Sequence, residues 1–332
     1  MKKRLPSREE LIKGVQSGDR VRLAQAITLI ESRAKTHREK AQEVLRRLLP
    51  STGKSIRVGI TGAPGAGKST FINTLGSYLC QKGLKTAVLA IDPSSEVNLG
   101  SILGDKTRMA ELSQQENCFI RPSPTSGKLG GVHRKTRETI SLCEAAGHEV
   151  ILVETVGVGQ SELLIRSTVD IVLLLTLTGA GDELQSIKKG IMEIADLIVI
   201  NKADGDNRIK AETAAKELNQ ALHYFSGNQK ETPKVVTCSS IEGNGIADVW
   251  RLIVDMKEAL RVSGKLIKNR QQQLIKWLEE DIIEKLKIDF YENIEISDRI
   301  KRIKSDILEE KITVSTATQQ LIHHYRKYDK KN

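Results

Sequence analysis

Two short stretches of this 332-residue chain hold residue types at spacings that suit a phosphorylated ligand. The first, Gly62-Ala-Pro-Gly-Ala-Gly-Lys-Ser69, fits the pattern G-x-x-x-x-G-K-S/T. Gly62, Gly65 and Gly67 let a loop curl with backbone N–H groups turned inward, while Ala63, Pro64 and Ala66 fill the other variable places. The helix expected to begin there, through Ser69 and Thr70, adds its positive end to an anion site. In that setting Lys68 neutralises β- and γ-phosphates, and the Ser69 hydroxyl is an oxygen ligand for Mg2+.

The second stretch is Asn201-Lys202-Ala203-Asp204. The Asp204 carboxylate can accept from both the ring N1–H and the exocyclic amino group of guanine. Adenine offers neither donor there, and it would leave a buried acceptor unpaired at a cost of about 1–3 kcal/mol. The Lys202 stem can lie along a base plane, and Asn201 can tie neighbouring loops together. Cys238-Ser-Ser-Ile241 follows the next apolar run, where many guanine-nucleotide enzymes carry Ser-Ala-Lys. Ser239 keeps the serine, whereas Ser240 and Ile241 replace the other two. Three acids are candidate Mg2+ ligands beside the phosphate loop: Asp92, Glu154 and Asp105. Glu154 stands where aspartate is commoner, so direct or water-mediated contact stays open, and with Lys68 it is the candidate for hydrolytic chemistry. Val158 occupies the place of a water-orienting glutamine, with Gln160 two residues on, so slow intrinsic turnover is expected.

To hold these residues together the chain needs a scaffold that gathers loop ends. From Ser55 onward, short apolar runs alternate with amphipathic stretches: Ile56–Ile60, Ala87–Ile91, Val150–Val153, Ile171–Leu177, Leu197–Ile200 and Val235–Val236. The expected fold is α/β, a P-loop nucleotide-hydrolase core with a mostly parallel sheet flanked by helices, and N- and C-terminal helical extensions. The candidate residues fall at carboxyl ends of strands, where such sheets bind ligands. The expected divisions are a helical extension over 1–50, the nucleotide-hydrolase domain over 51–262 and a helical arm over 263–332. Ser7 and Glu10 have capping-box spacing. Apolar series at Leu11/Val15, Leu23/Ile27/Ile30 and Ala41/Val44/Leu45/Leu48 have helical period, as do Leu266/Leu274/Trp277/Leu278 and Leu321/Ile322/Tyr325 near the other end.

Bulk properties narrow the partners. The net charge of +10 is uneven: +7 over 1–50, −1 over 51–260 and +4 over 261–332. Basic flanks could meet nucleic acid or an acidic protein. With aromatics at 3%, few rings are available for base stacking, so no nucleic-acid partner is expected. No apolar run is long enough to span a bilayer, and the four cysteines show neither a C-x-x-C pair nor a cluster with histidine. A soluble, cytoplasmic protein without a membrane partner is expected.

Beyond these motifs, the chain resembles the MeaB/ArgK family of GTPases, to which the methylmalonic aciduria type A protein also belongs. The likeness runs through Gly62–Thr70, Asp92–Ser95, Ser101–Met109, Leu129–Gly131, Glu154–Glu162, Gly179–Lys188 and Asn201–Asp206. The resemblance implies binding of GTP and GDP with Mg2+, slow GTP hydrolysis and homodimers formed through C-terminal helices. It also implies a chaperone role toward an adenosylcobalamin-dependent acyl-CoA mutase, chiefly methylmalonyl-CoA mutase, in gating cofactor loading and protecting the mutase from inactivation. Gly179–Lys188 is similar to a third switch loop of the family, with Asp182 and Lys188 at its charged positions. Glu96-Val-Asn-Leu99 departs from the Gly-richer family pattern. Competing readings are a metal-insertion accessory GTPase, which needs clustered thiolate or imidazole ligands, and a transport-associated ATPase or kinase.

Overall fold

In the computed structural model the described residues are 6–32, 34–91, 109–122, 129–155, 165–178, 194–226 and 232–329. Two compact units emerge, Met1–Gln273 and Leu274–Asn332.

The first unit opens with three helices, α1 (Arg8–Gln16), α2 (Arg20–Glu31) and α3 (Lys35–Leu48). Side-chain caps set the first two starts. Ser7 and Glu10 form both halves of the capping box, with Glu10 N–H donating to Ser7 Oγ at 3.1 Å and Ser7 N–H to Glu10 Oε2 at 2.6 Å. Asp19 Oδ1 accepts from the N–H groups of Val21 and Arg22, satisfying two orphan donors at the start of α2. The apolar series read from the sequence point inward: Leu11, Val15, Leu23, Ile27, Val44 and Leu48 are buried. Each such side chain contributes about 1.5–3 kcal/mol of burial.

Among the described residues seven strands follow: β1 (Ile56–Gly62), β2 (Thr86–Ile91), β3 (Cys118–Pro122), β4 (Val150–Thr155), β5 (Ile171–Thr176), β6 (Leu197–Ile200) and β7 (Lys234–Thr237). They form one sheet in the order β3-β2-β4-β1-β5-β6-β7, with every pairing parallel. The interior strands β4 and β5 are buried along their entire length. Burial on both faces is why they read as continuous apolar runs rather than alternating ones.

Alternate residues supply two cores. Ala87, Leu89, Ile151, Val153 and Val172 pack toward α1–α3 and toward α6 (Leu129–Ala145), which follows the short α5 (Ala110–Ser113). Val88, Leu152, Leu173, Ile56, Val58 and Ile60 pack toward α4 (Lys68–Gln81) and α8 (Ile246–Val262), where Phe71, Leu75, Val249 and Ile253 complete the layer. α7 (Arg208–Ser226) covers β6 and β7 through Ala211, Leu218 and Leu222. Helices thus lie on both faces of a parallel sheet, as the sequence predicts.

Sequence spacing misses β3. Its five residues include Arg121 and end in Pro122, and it pairs on one side only, with β2. An edge strand tolerates proline because its outer side needs no ladder donor.

At the amino ends of the strands lies a buried ionic network that the sequence does not announce. Glu144 accepts from Arg57 Nε and Nη2 at 2.9 and 3.0 Å, from Ser55 Oγ at 2.5 Å and from Gly53 N–H at 2.8 Å. Asp170 accepts a bidentate pair from Arg270 at 2.8 and 2.7 Å and the Arg57 N–H at 2.9 Å. Arg270 lies near the start of α9 (Lys265–Glu292).

The second unit holds the rest of α9, then α10 (Ile294–Leu308) and α11 (Val314–Asp329). Asn293 caps α10 by accepting from Ile296 N–H at 3.1 Å. Phe290 meets Tyr325 edge-on at 5.2 Å, and Ile296 of α10 and Ala317 of α11 are buried. Leu274, Ile275, Leu278, Ile282, Ile283 and Leu286 of α9 are each between 47% and 59% exposed. Among the described residues, no helix is long and apolar enough to cross a membrane.

Candidate functional site

Among the described residues, the parallel register gathers the candidates at one edge of the sheet. Ile60 of β1 lies beside Glu154 of β4, Gly62 beside Leu175 of β5, and Ile200 of β6 beside Thr237 of β7. The carboxyl ends of β1, β4, β6 and β7 therefore all lie along this edge.

β1 turns into the loop through Gly62, whose φ is +150° and whose added Cβ would lie 2.1 Å from the Leu175 carbonyl oxygen. Only glycine can pass that close to β5. Gly67 ends the loop at φ +88°, where a Cβ would come within 2.6 Å of Asn201 Nδ2. The three loop glycines do not share one reason, however. Gly65 sits at the exposed tip with Ala63 and Pro64, and a Cβ added to it would meet nothing within 4 Å among the described residues. Its φ of +83° asks for glycine on backbone grounds. The N-cap position of α4 is Gly67, which has no side chain to cap the helix. The first amides of a helix lack partners within it and leave a positive pole for an anion.

Lys68 and Ser69 begin α4. The Lys68 ammonium donates to the carbonyls of Gly62 at 2.8 Å and Ala63 at 3.1 Å. Burial lowers its pKa from the ordinary lysine value, and the nearby Glu154 carboxylate pulls the other way. Ser69 Oγ donates to Glu154 Oε1 at 3.1 Å, and Glu154 is 9% exposed. A hydroxyl and a carboxylate side by side form a hard-oxygen donor pair of the kind Mg2+ takes. Asp92, Asp105, Asp182, Lys188, Val158 and Gln160 lie outside the described residues.

At the other end of this edge, Asn201 makes the connections that its position after β6 suggested. Its Nδ2 donates to the Ala66 carbonyl at 2.9 Å, reaching into the phosphate loop. Its Oδ1 accepts from Ser240 Oγ at 2.7 Å, Ser240 N–H at 3.2 Å and Cys238 Sγ at 3.4 Å. Burial pushes the Cys238 thiol up to about 12, against the bond from Ser240, so it stays protonated and can donate. Ser239 Oγ donates to Asp204 Oδ2 at 2.7 Å and accepts from Glu242 N–H at 3.1 Å. Lys202 is exposed and sits at φ +59°, with its carbonyl accepting from Asn207 Nδ2 at 2.7 Å. Ile241, in the place usual for lysine, is 79% exposed.

One connection has no signal in the spacing of the motifs. Thr74, one helical turn beyond Thr70, donates from Oγ1 to the Ser240 carbonyl at 2.6 Å, with the Thr70 carbonyl at 3.0 Å. A threonine in the second turn of a helix reads as an ordinary residue that bonds back to its own turn. Nothing local ties it to a turn 166 residues away.

The arrangement joins an anion-binding loop, a hard-oxygen pair and a carboxylate-bearing turn along one sheet edge. Comparison with known proteins agrees with it. The family model described as methylmalonyl Co-A mutase-associated GTPase MeaB matches residues 23–295. A GTPase ArgK of Escherichia coli is 50% identical over 282 residues, covering 83% of this chain and 85% of that protein. A mitochondrial methylmalonic aciduria type A homolog of Mus musculus is 42% identical over 329 residues, covering 96% and 79%. Among solved structures, one described as an LAO/AO transport system kinase superposes with a TM-score of 0.74 at 38% identity, covering 96% of this chain and 97% of that one. The chain belongs to the MeaB family of methylmalonyl-CoA mutase-associated GTPases and is a P-loop GTP hydrolase.

Proposed function

We propose that the chain is a GTP-driven chaperone of an adenosylcobalamin-dependent acyl-CoA mutase, with methylmalonyl-CoA mutase as the client, gating cofactor loading and protecting the mutase. In this reading residues Gly62–Thr70 hold the phosphates, with Gly65 at the open tip where its backbone can approach them. Asn201, Lys202, Asp204, Ser239, Ser240 and Ile241 surround the guanine. Ser69 and Glu154 hold Mg2+, joined by Asp92 and Asp105. Mg2+ supplies charge neutralisation at the β- and γ-phosphates.

Lys68 exchanges its loop carbonyls for phosphate oxygens, and that charge pairing offsets the burial that now disfavours its ammonium form. Glu154 anchors the Ser69 hydroxyl and fixes its direction. Asp204, already oriented by Ser239, accepts from the two guanine donors. Asp182 and Lys188 belong to the switch that reports the nucleotide state to the mutase. The exposed apolar row of α9 from Leu274 to Leu286 supports a homodimer, since a face of that size on one helix calls for a partner. A cytoplasmic location follows from the same reading.

The observation that carries the nucleotide assignment is the pair of links along one edge, Ser69 to Glu154 and Asn201 to Ala66. The test is steady-state GTP hydrolysis by the purified chain, with and without an adenosylcobalamin-dependent methylmalonyl-CoA mutase, and with Lys68→Ala as control. Slow turnover that rises on adding the mutase, and is abolished in Lys68→Ala, supports the reading. Turnover indifferent to the mutase, with no complex on gel filtration, removes the client assignment and leaves the GTPase.

A further inference from the structure

We propose that Thr74 and Ser240 are positioning residues which lock the base-contacting turn onto the helix that carries Lys68 and Ser69, so that affinity for guanine depends on a bond from the phosphate-binding helix. This inference rests on the assignment of Asp204 and the 239–241 turn to the base.

Ser240 is held at three points. Its carbonyl accepts from Thr74 Oγ1 at 2.6 Å, its hydroxyl donates to Asn201 Oδ1 at 2.7 Å, and its N–H reaches the same oxygen at 3.2 Å. Ser240 is 4% exposed, so none of these bonds exchanges freely with water. An alanine at 240 would lack the middle bond. Asn201 Oδ1 would then keep only the Ser240 amide at 3.2 Å and the Cys238 thiol at 3.4 Å, both longer and weaker contacts. With serine present, the hydroxyl alone can keep Asn201 oriented toward Ala66. The Ser240 N–H is then free to turn toward a carbonyl on the base.

Thr74 holds the opposite side of the same peptide. Its backbone is fixed within α4, and its hydroxyl has one proton, which the 2.6 Å contact to Ser240 claims over the 3.0 Å contact to Thr70. The pull of Thr74 on the carbonyl fixes the plane of the Ser240–Ile241 peptide. Asn201 fixes the peptide before it. Phosphate loop and base turn are thereby joined twice, once through Asn201 to Ala66 and once through Thr74 to α4.

The test uses the full chain and compares Thr74→Val, Thr74→Ser, Ser240→Ala and Asp204→Asn. For each, KM and kcat for GTP are measured, with competitive inhibition by inorganic tripolyphosphate as a probe that has phosphates and no base. Thr74→Val and Ser240→Ala are expected to raise KM for GTP about 3- to 10-fold, the loss of one net hydrogen bond. kcat should stay within about twofold and tripolyphosphate inhibition unchanged, because only uniform binding of the base is lost. Thr74→Ser keeps the hydroxyl and restores the parent KM. Asp204→Asn separates the two claims, since it should shift preference from GTP toward XTP, whose 2-carbonyl accepts where guanine donates. No shift in Asp204→Asn overturns the base-site assignment and this inference with it. A shift there, with KM unchanged in Thr74→Val, overturns the inference alone. So does a Thr74→Val variant that weakens tripolyphosphate as much as GTP, or one that Thr74→Ser does not rescue.

Discussion

Replacing Arg270 by alanine tests how much the buried network at the amino ends of the strands contributes. Arg270 is 16% exposed and Asp170 1% exposed at their side chains. Truncation removes the two bonds to Asp170 and the donations to Gly53 O at 2.5 Å and Ser55 O at 2.7 Å. Asp170 would keep the Arg57 N–H at 2.9 Å, while the Arg57 guanidinium stays committed to Glu144. A buried carboxylate stripped of its cation costs about 3–5 kcal/mol. At about 2–4 °C per kcal/mol for a unit of this size, the melting temperature should fall on the order of 10 °C. Differential scanning calorimetry of nucleotide-free protein measures it, with Asp170→Asn and the double variant completing a cycle. The double variant should cost less than the sum of the singles by at least about 1 kcal/mol. A fall below about 2 °C in Arg270→Ala, or strict additivity in the cycle, refutes the reasoning and means that water replaces the guanidinium at little cost.

Gly67→Ala places a Cβ at φ +88° within 2.6 Å of Asn201 Nδ2, so nucleotide binding measured by isothermal titration should weaken at least about 10-fold. An unchanged affinity would mean that Asn201 moves aside freely. His148 is buried with Nδ1 2.9 Å from the Cys143 carbonyl; burial lowers its pKa below the ordinary 6.5, and Lys85 and Arg20 push it the same way. The unfolded chain therefore takes up this proton first, and stability is lost as pH falls through 6.5 toward the folded value. In thermal melts between about pH 7.5 and about pH 5.5, His148→Leu should lose less stability than the parent; equal slopes would exclude His148 as the cause. Asp19→Ala removes the cap of α2 and should cost about 0.5–2 kcal/mol in urea unfolding, with no change in KM for GTP.

The parts of this molecule that could be read from the chain are those where cause and effect lie close in sequence. The Ser7–Glu10 box, the turn at Gly65 and the apolar runs of β4 and β5 each carry their reason within a few residues. Gly62 and Gly67 are marked by the same motif, yet what crowds them, Leu175 of β5 and Asn201 just after β6, lies more than 100 residues on. β3 was not legible because its apolar run is only Cys118–Ile120, and Arg121 and Pro122 argue against a strand. Three further contacts were not legible because their partners are far apart: Thr74 with Ser240 at 166 residues, Arg270 with Asp170 at 100, and Gly53 with Glu144 at 91. Residue 240 shows the difference well. The sequence marks its serine as a departure from the usual alanine, and only the fold gives the hydroxyl an acceptor, Asn201 Oδ1.

Asn201 also bears on the order in which the protein is made. Its side chain closes contacts spanning 135 residues toward Ala66 and 37 to 39 toward Cys238 and Ser240. Contacts at such separations form late, because loop closure must be overcome before they return any stabilisation. A chain emerging from the ribosome has its phosphate loop early but lacks the turn that braces Asn201 until Ser240 is out. Up to that point it would bind guanine nucleotide poorly. Nucleotide at a hundred times its Kd then adds about 2.7 kcal/mol to the finished fold. Retention of labelled GDP by stalled nascent chains of increasing length would thus report the moment at which the domain is complete.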